Sequence, residues 1–217
     1  MASPGFLIAA AARPHPTEVV SGDIWHVDWL ATGCRIAVID GLGHGPDAAF
    51  AAQQAGDTLA LSPHLGPADA LRVCHQALSG TRGAAIGIAL IETSMGTLTY
   101  AGVGNVEARV VTPEKVTLLA SSRGIVGSIL PTIRPTEISL PPGWTLVMHS
   151  DGVSSRFDLS QIDGASGPDV KAVADAILAE WGRATDDATV VVARPANVRS
   201  GQTDMSPGSS YSTPNRS

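Results

Sequence analysis

Short apolar runs that stop at an aspartate constrain this chain more than any other feature. Ile36-Ala37-Val38-Ile39 stops at Asp40-Gly41, and Leu146-Val147-Met148-His149-Ser150 stops at Asp151-Gly152. Val- and Ile-rich runs of this length, closed by Asp and Gly, read as strands that end in turns. The same grammar places strands at Phe6–Ala11, Ile24–Leu30, Arg35–Ile39, Ala84–Ile91, Thr97–Ala101, Val106–Val111, Val116–Leu118, Thr145–His149 and Ala188–Ala193. Gly102-Val103-Gly104-Asn105 is expected to join two of them as a hairpin, because Gly and Asn accept positive φ at low cost.

Three stretches have helical periodicity instead. Pro46–Leu61 is rich in Ala and Gln and opens with a proline, which suits a first helical turn. Pro67–Leu78 carries Ala70, Leu71, Val73, Cys74, Ala77 and Leu78 on one stripe, and Pro168–Trp181 carries Val170, Val173, Ala174, Ile177, Leu178 and Trp181 on another. Strands and helices do not alternate as βαβ units, so the fold class expected is α+β, sheets covered by helices, rather than a doubly wound parallel sheet. Aromatic residues are 4% of the chain, so the core must be built from small aliphatic side chains.

Composition narrows the function. No apolar run reaches the ~18 residues of a membrane span. The opening MASPGFLIAAAARPHP has no basic start, and Arg13 interrupts its short apolar stretch, so it reads as a strand rather than a signal peptide. A net charge of −6 argues against a nucleic-acid binder, which would present a basic face. Cys34 and Cys74 have no CxxC spacing and read as two buried free thiols in a reducing cytoplasm. Residues 198–217 are dominated by Ser, Gly, Thr, Pro, Asn and Gln and cannot bury enough surface to offset their ordering entropy. They are expected to form a disordered tail after a domain spanning 1–197.

The aspartates carry the chemistry. Asp40 and Asp151 end strands, Asp186 and Asp187 precede one, and Asp23 follows Gly22 at the start of another. A carboxylate at the lip of a strand is aimed by rigid backbone yet open to water. Ionised carboxylates brought together repel unless a cation intervenes, and Mg²⁺ and Mn²⁺ take oxygen ligands while keeping several waters. Aspartates from four separate segments therefore suit a binuclear metal site. Any one Asp-Gly, taken alone, is simply a turn dipeptide. A dinucleotide fingerprint fails at Gly41-Leu42-Gly43-His44-Gly45-Pro46: its third Gly is misplaced, and Ala60 stands where an acidic residue is needed.

Taken in order, Ser21-Gly22-Asp23, Asp40–Gly45 (DGLGHG), Ala101–Asn105 (AGVGN), Ser150-Asp151-Gly152 and Asp186–Thr189 (DDAT) resemble the motif series of PP2C-type (PPM) serine/threonine phosphatases. Within these, the chain is similar to the SpoIIE/RsbX-like bacterial branch, over roughly Ser21 to Arg194; Thr81-Arg82-Gly83-Ala84-Ala85 adds to the likeness. The resemblance implies a PP2C-like αββα sandwich, two mostly antiparallel sheets flanked by helices, with two Mn²⁺ or Mg²⁺ ions at one edge. It implies Asp40 bridging both ions, the Gly41 carbonyl completing the first site, and Asp151 and Asp186 holding the second. Asp23 would contact an ion directly or through water. Asp187 stands where many relatives have Asn and is a second candidate beside Asp186.

By the same resemblance the chain would hydrolyse phosphoserine and phosphothreonine on bacterial signalling proteins, with phosphorylated STAS-domain stress regulators as candidate partners. Eukaryotic relatives commonly place a His two positions after the first Asp. Here Leu42 stands there and His44 two further on, so His44 is the candidate proton donor, with a loop-packing role as the alternative reading. His149 reads as structural. Arg82 and Arg123 are candidates for gripping phosphate, and Asn105 for lining the substrate groove. Two other functions fit the same residues: a phosphoprotein-binding module of this fold, and a hydrolase of small phosphoesters.

Overall fold

The structure is a computed structural model that describes residues 5–162, 165 and 167–196; the tail expected over 198–217 lies outside the described residues. The elements in chain order are β1 (Phe6–Arg13), β2 (Asp23–Leu30), β3 (Gly33–Gly41), α1 (Pro46–Ala60), α2 (Pro67–Ala77), β4 (Ala84–Glu92), β5 (Thr97–Val103), β6 (Glu107–Val111), β7 (Val116–Leu119), β8 (Thr136–Ser139), β9 (Thr145–His149), α3 (Val170–Trp181) and β10 (Ala188–Pro195). One sheet has the order β1-β10-β9-β6-β7 and the other β2-β3-β4-β5-β8, with every named pair antiparallel.

Period-two alternation along the central strands builds the layers. Cys34, Ile36 and Val38 of β3 face the other sheet, where they meet Leu146 and Met148 of β9 and Val191 of β10. The intervening Ala37 and Ile39 face α1 and α2. On the far side, Val190 and Val192 of β10 pack under Val173, Ala174 and Ile177 of α3. The result is helix, sheet, sheet, helix, the αββα arrangement expected. Each fully buried Ile or Leu contributes about 1.5–3 kcal/mol.

The small side chains anticipated in the core do their work on α1. Ala48, Ala51, Ala52, Ala55 and Gly56 form its buried face, so the helix sits close on β2 and β3. α3 begins at Val170 rather than Pro168, because the Asp169 carboxylate accepts from the Ala172 amide at 2.9 Å and caps the first turn. β8 was not anticipated from its sequence: Thr-Glu-Ile-Ser between prolines is too short and polar to show period-two burial.

The hairpin expected at Gly102–Asn105 is not formed. β5 pairs with β4 and β8 in one sheet, whereas β6 pairs with β7 and β9 in the other, so this segment carries the chain across the sandwich. The Tyr100 hydroxyl and Ser121 Oγ lie 2.9 Å apart beneath the crossing, and Ser121 Oγ donates to the Val106 carbonyl at 2.7 Å. Turn chemistry identified the bend but not which strands it joins. Cys34 and Cys74 are free and buried, the first between the sheets and the second on the buried face of α2, against α1. No helix among the described residues is long and apolar enough to cross a membrane.

Candidate active site

The two sheets bring their aspartates to one edge. Asp23 opens β2 and Asp40 is the penultimate residue of β3, and the two are direct cross-strand partners. From the other sheet, Asp151 follows β9 and Asp186 and Asp187 precede β10, neighbours because β9 and β10 pair. Two glycines let the backbones close here. A Cβ on Gly41 would collide with the Ala48 carbonyl in the first turn of α1, and one on Gly152 with the Asp187 carbonyl. The glycine after each strand-ending aspartate is thus a packing requirement as well as a turn residue.

Hydrogen bonds stitch the sheets together across this edge. Ser150 Oγ donates to Asp23 Oδ2 at 2.5 Å and accepts from the Thr189 amide at 3.0 Å. Asn105 Nδ2, on the crossing segment, donates to Asp151 Oδ2 at 2.6 Å. The His15 amide donates to Asp187 Oδ1 at 2.8 Å, while Asp187 Oδ2 is buried without a partner among the described residues. Sequence reasoning gave Ser150 no role of its own. Its only signal was its place before Asp151-Gly152.

The electrostatics are those of crowded carboxylates. Burial, then repulsion from Asp23, Asp151, Asp186 and Asp187, pushes the Asp40 carboxyl from 3.8 up to about 9. Asp23 is pushed up to about 7, chiefly by burial; the Ser150 hydrogen bond opposes this, and Asp187, Asp151 and Asp186 add to it. Asp186 is raised by burial and by Asp151. Among the described residues no three His, Cys, Asp or Glu side chains close into a metal cage. An open set of carboxylates is what Mg²⁺ and Mn²⁺ accept, since both retain waters and take one or two carboxylates. The buried Asp187 oxygen and the raised carboxyls of Asp23 and Asp40 fit such a cation.

The remaining candidates fall into two groups. His44 Nδ1 lies 2.8 Å from Glu18 Oε1, and its ring stacks on His15 at 4.4 Å between centroids. His15 in turn reaches Asp187 through its amide, so His44 stands at the rim of the acidic edge. Glu18 and His15 carry no motif and were missed. Arg82 pairs with Asp47 at 2.9 Å and lies over the Gly43 backbone, which brings it to the Asp40–Gly45 loop. Arg123 is exposed, and no hydrogen bond or ion pair ties it to that loop among the described residues. His149 is buried, bonds the Ser150 carbonyl through Nδ1 at 2.9 Å, and has its pKa lowered by burial, as a structural histidine would.

Two antiparallel sheets between helices, with aspartates of both sheets meeting at one edge, define a PP2C-type phosphoprotein phosphatase. The profile of the stage II sporulation protein E (SpoIIE) family matches residues 31–196, and the chain belongs to that family. A chain solved under the description "The bacterial stressosome: a modular system that has been adapted to control secondary messenger signaling" is 28% identical, over 87% of this chain and 99% of that one, with TM-score 0.80. RsbX in complex with magnesium is 19% identical over 88% of this chain and 95% of its own, TM-score 0.78. The SiaA-PP2C domain of Pseudomonas aeruginosa is 25% identical over 86% and 85%, TM-score 0.73. A comparison with the curated proteins finds no match.

Proposed function

We propose that this chain hydrolyses phosphoserine and phosphothreonine on bacterial signalling proteins, using water activated at a two-cation site formed by Asp23, Asp40, the Gly41 carbonyl, Asp151 and Asp186. The observation that carries this reading is the edge where Asp23 and Asp40 pair across β2 and β3 while aspartates of the other sheet face them, the Asp40 carboxyl being pushed up by burial and by these neighbours. Bound divalent cations, Mn²⁺ or Mg²⁺, would supply a water of pKa near ~7 and positive charge for the phosphoryl transition state.

The chain's own residues have distinct tasks. Asp40, Asp151 and Asp186 would hold the ions, and Asn105 fixes the Asp151 rotamer. Asp187, tied to the His15 amide, orients the segment that presents Asp186. Ser150 holds the Asp23 carboxylate ready. Arg82, already over the loop, steadies the phosphate. His44 donates a proton to the departing serine or threonine oxygen, and Glu18, 2.8 Å from its Nδ1, orients the ring for this. No phosphoenzyme is needed.

The stressosome description of one similar chain and the likeness to RsbX support a phosphorylated STAS-domain regulator as partner, and the free, buried thiols support a cytoplasmic setting. The test is hydrolysis of p-nitrophenyl phosphate with Mn²⁺, Mg²⁺ or EDTA. Activity should require the cation, and Asp40→Asn should lower it by on the order of 10²-fold or more. Equal rates in EDTA, or an Asp40→Asn protein as active as the native chain, would refute the reading.

A further inference from the structure

Trp25 and Trp29 are 45% and 53% exposed, unusual for tryptophan in a chain so poor in aromatics. Both lie on β2, an edge strand whose outer side has no neighbour in its sheet. Two hollows flank this edge. One is lined by Asp23, Trp25, His26, Gly56 and Asp57, the other by Ile8, Trp25, His26 and Trp29. They share Trp25 and so form one trough from the acidic edge to the far end of β2. Six residue steps of strand make it about 20 Å long.

We infer that this trough is a docking groove for the substrate polypeptide, which lies extended along β2 with a basic side chain over Asp57 and its phosphorylated residue at the acidic edge. The inference rests on the phosphatase reading, and three features support it. The trough is continuous with the site through Asp23, so the chain flanking a phosphoserine must leave the site along a surface of this kind. An unpaired strand offers main-chain hydrogen bonds to an extended segment, and alternating side chains beside it supply pockets. The described lining carries the exposed carboxylate of Asp57 and no Lys or Arg, and its histidine, His26, is paired with Asp28 at 2.8 Å. Such a lining complements a cationic flank and repels an acidic one. Half-exposed tryptophans are the residues on which such contacts concentrate.

The experiment is fluorescence anisotropy with labelled phosphoserine peptides whose flanking residues are lysine, alanine or glutamate. It is run on the Mn²⁺-loaded full chain and on Trp25→Ala and Asp57→Lys. The native protein should bind the lysine-flanked peptide about tenfold more tightly than the glutamate-flanked one. Asp57→Lys, on an exposed helix face, should invert that order. Trp25→Ala should weaken all three by about tenfold while p-nitrophenyl phosphate turnover stays unchanged. Flank-independent binding that neither variant alters overturns the groove. So does dimerisation that Trp25→Ala abolishes with peptide affinity intact, which would make the edge a contact between copies. Turnover of p-nitrophenyl phosphate reports the catalytic reading separately: if it is absent while the flank order and its inversion hold, hydrolysis fails and the groove stands.

Discussion

At the scale of single residues, a carboxylate cluster sets opposing demands on folding and chemistry. Ser150 answers part of them, giving Asp23 a short hydrogen bond and taking one from the Thr189 amide. Ser150→Ala leaves both partners buried and unpaired, which should cost about 1–3 kcal/mol in urea unfolding. It should also weaken Mn²⁺ binding measured by calorimetry by about 10–100-fold. His44 invites a different comparison. Nitrophenolate departs without a proton, whereas a serine oxygen requires one. His44→Gln should therefore slow a phosphoserine peptide by on the order of 10²-fold and p-nitrophenyl phosphate far less. Glu18→Gln should show the same pattern in milder form. Equal losses on both substrates would assign His44 to packing.

Among the elements, Arg35 illustrates why part of this molecule was hidden from its sequence. The sequence places Arg35 at the start of an apolar run, where an arginine is ordinarily solvated, yet it is completely buried. Its guanidinium donates to Asp28 Oδ2 at 2.6 Å, to the Leu59 carbonyl ending α1 at 2.7 Å, and to the Ser62 carbonyl of the following loop at 2.8 Å. Arg35→Met strands Asp28 and the carbonyls of Leu59, Ser62 and Leu65, and should destabilise the protein by about 3–5 kcal/mol in denaturant unfolding. Arg35→Lys should recover only part, since an ammonium cannot span that fan of acceptors. The strands and helices themselves were legible, because period-two and helical stripes are local and burial follows them. The five aspartates were legible because each ends or begins a strand. What was not legible depends on which elements become neighbours: the sheet crossing at Gly102–Asn105, the short strand β8, the Glu18–His44 pair, and the trough beside β2.

For the whole molecule, the acidic edge is where two sheets with separate hydrogen-bond ladders meet. Asp40 and Asp23 have pKa values near 9 and 7 in the cation-free fold against 3.8 in an unfolded chain. The folded state therefore holds more protons between about pH 4 and pH 9, and its stability falls as pH rises through that window. Melting in EDTA should shift downward from pH 5 to pH 9. Mn²⁺ should raise the melting temperature more at the higher pH, where the carboxylates are otherwise charged and uncompensated. A cation effect independent of pH would show that these carboxyls ionise freely.

The two cysteines have a practical consequence. Cys34 lies between the sheets and Cys74 on the inner face of α2, each with its thiol pushed up to about 12 by burial, so neither reacts while its layer is shut. Each is therefore a native clock on one seam of the protein. Timed alkylation read by mass spectrometry would count how often the sandwich parts and, independently, how often the helical roof lifts. A cation that joins the sheets should slow the first clock and leave the second nearly untouched.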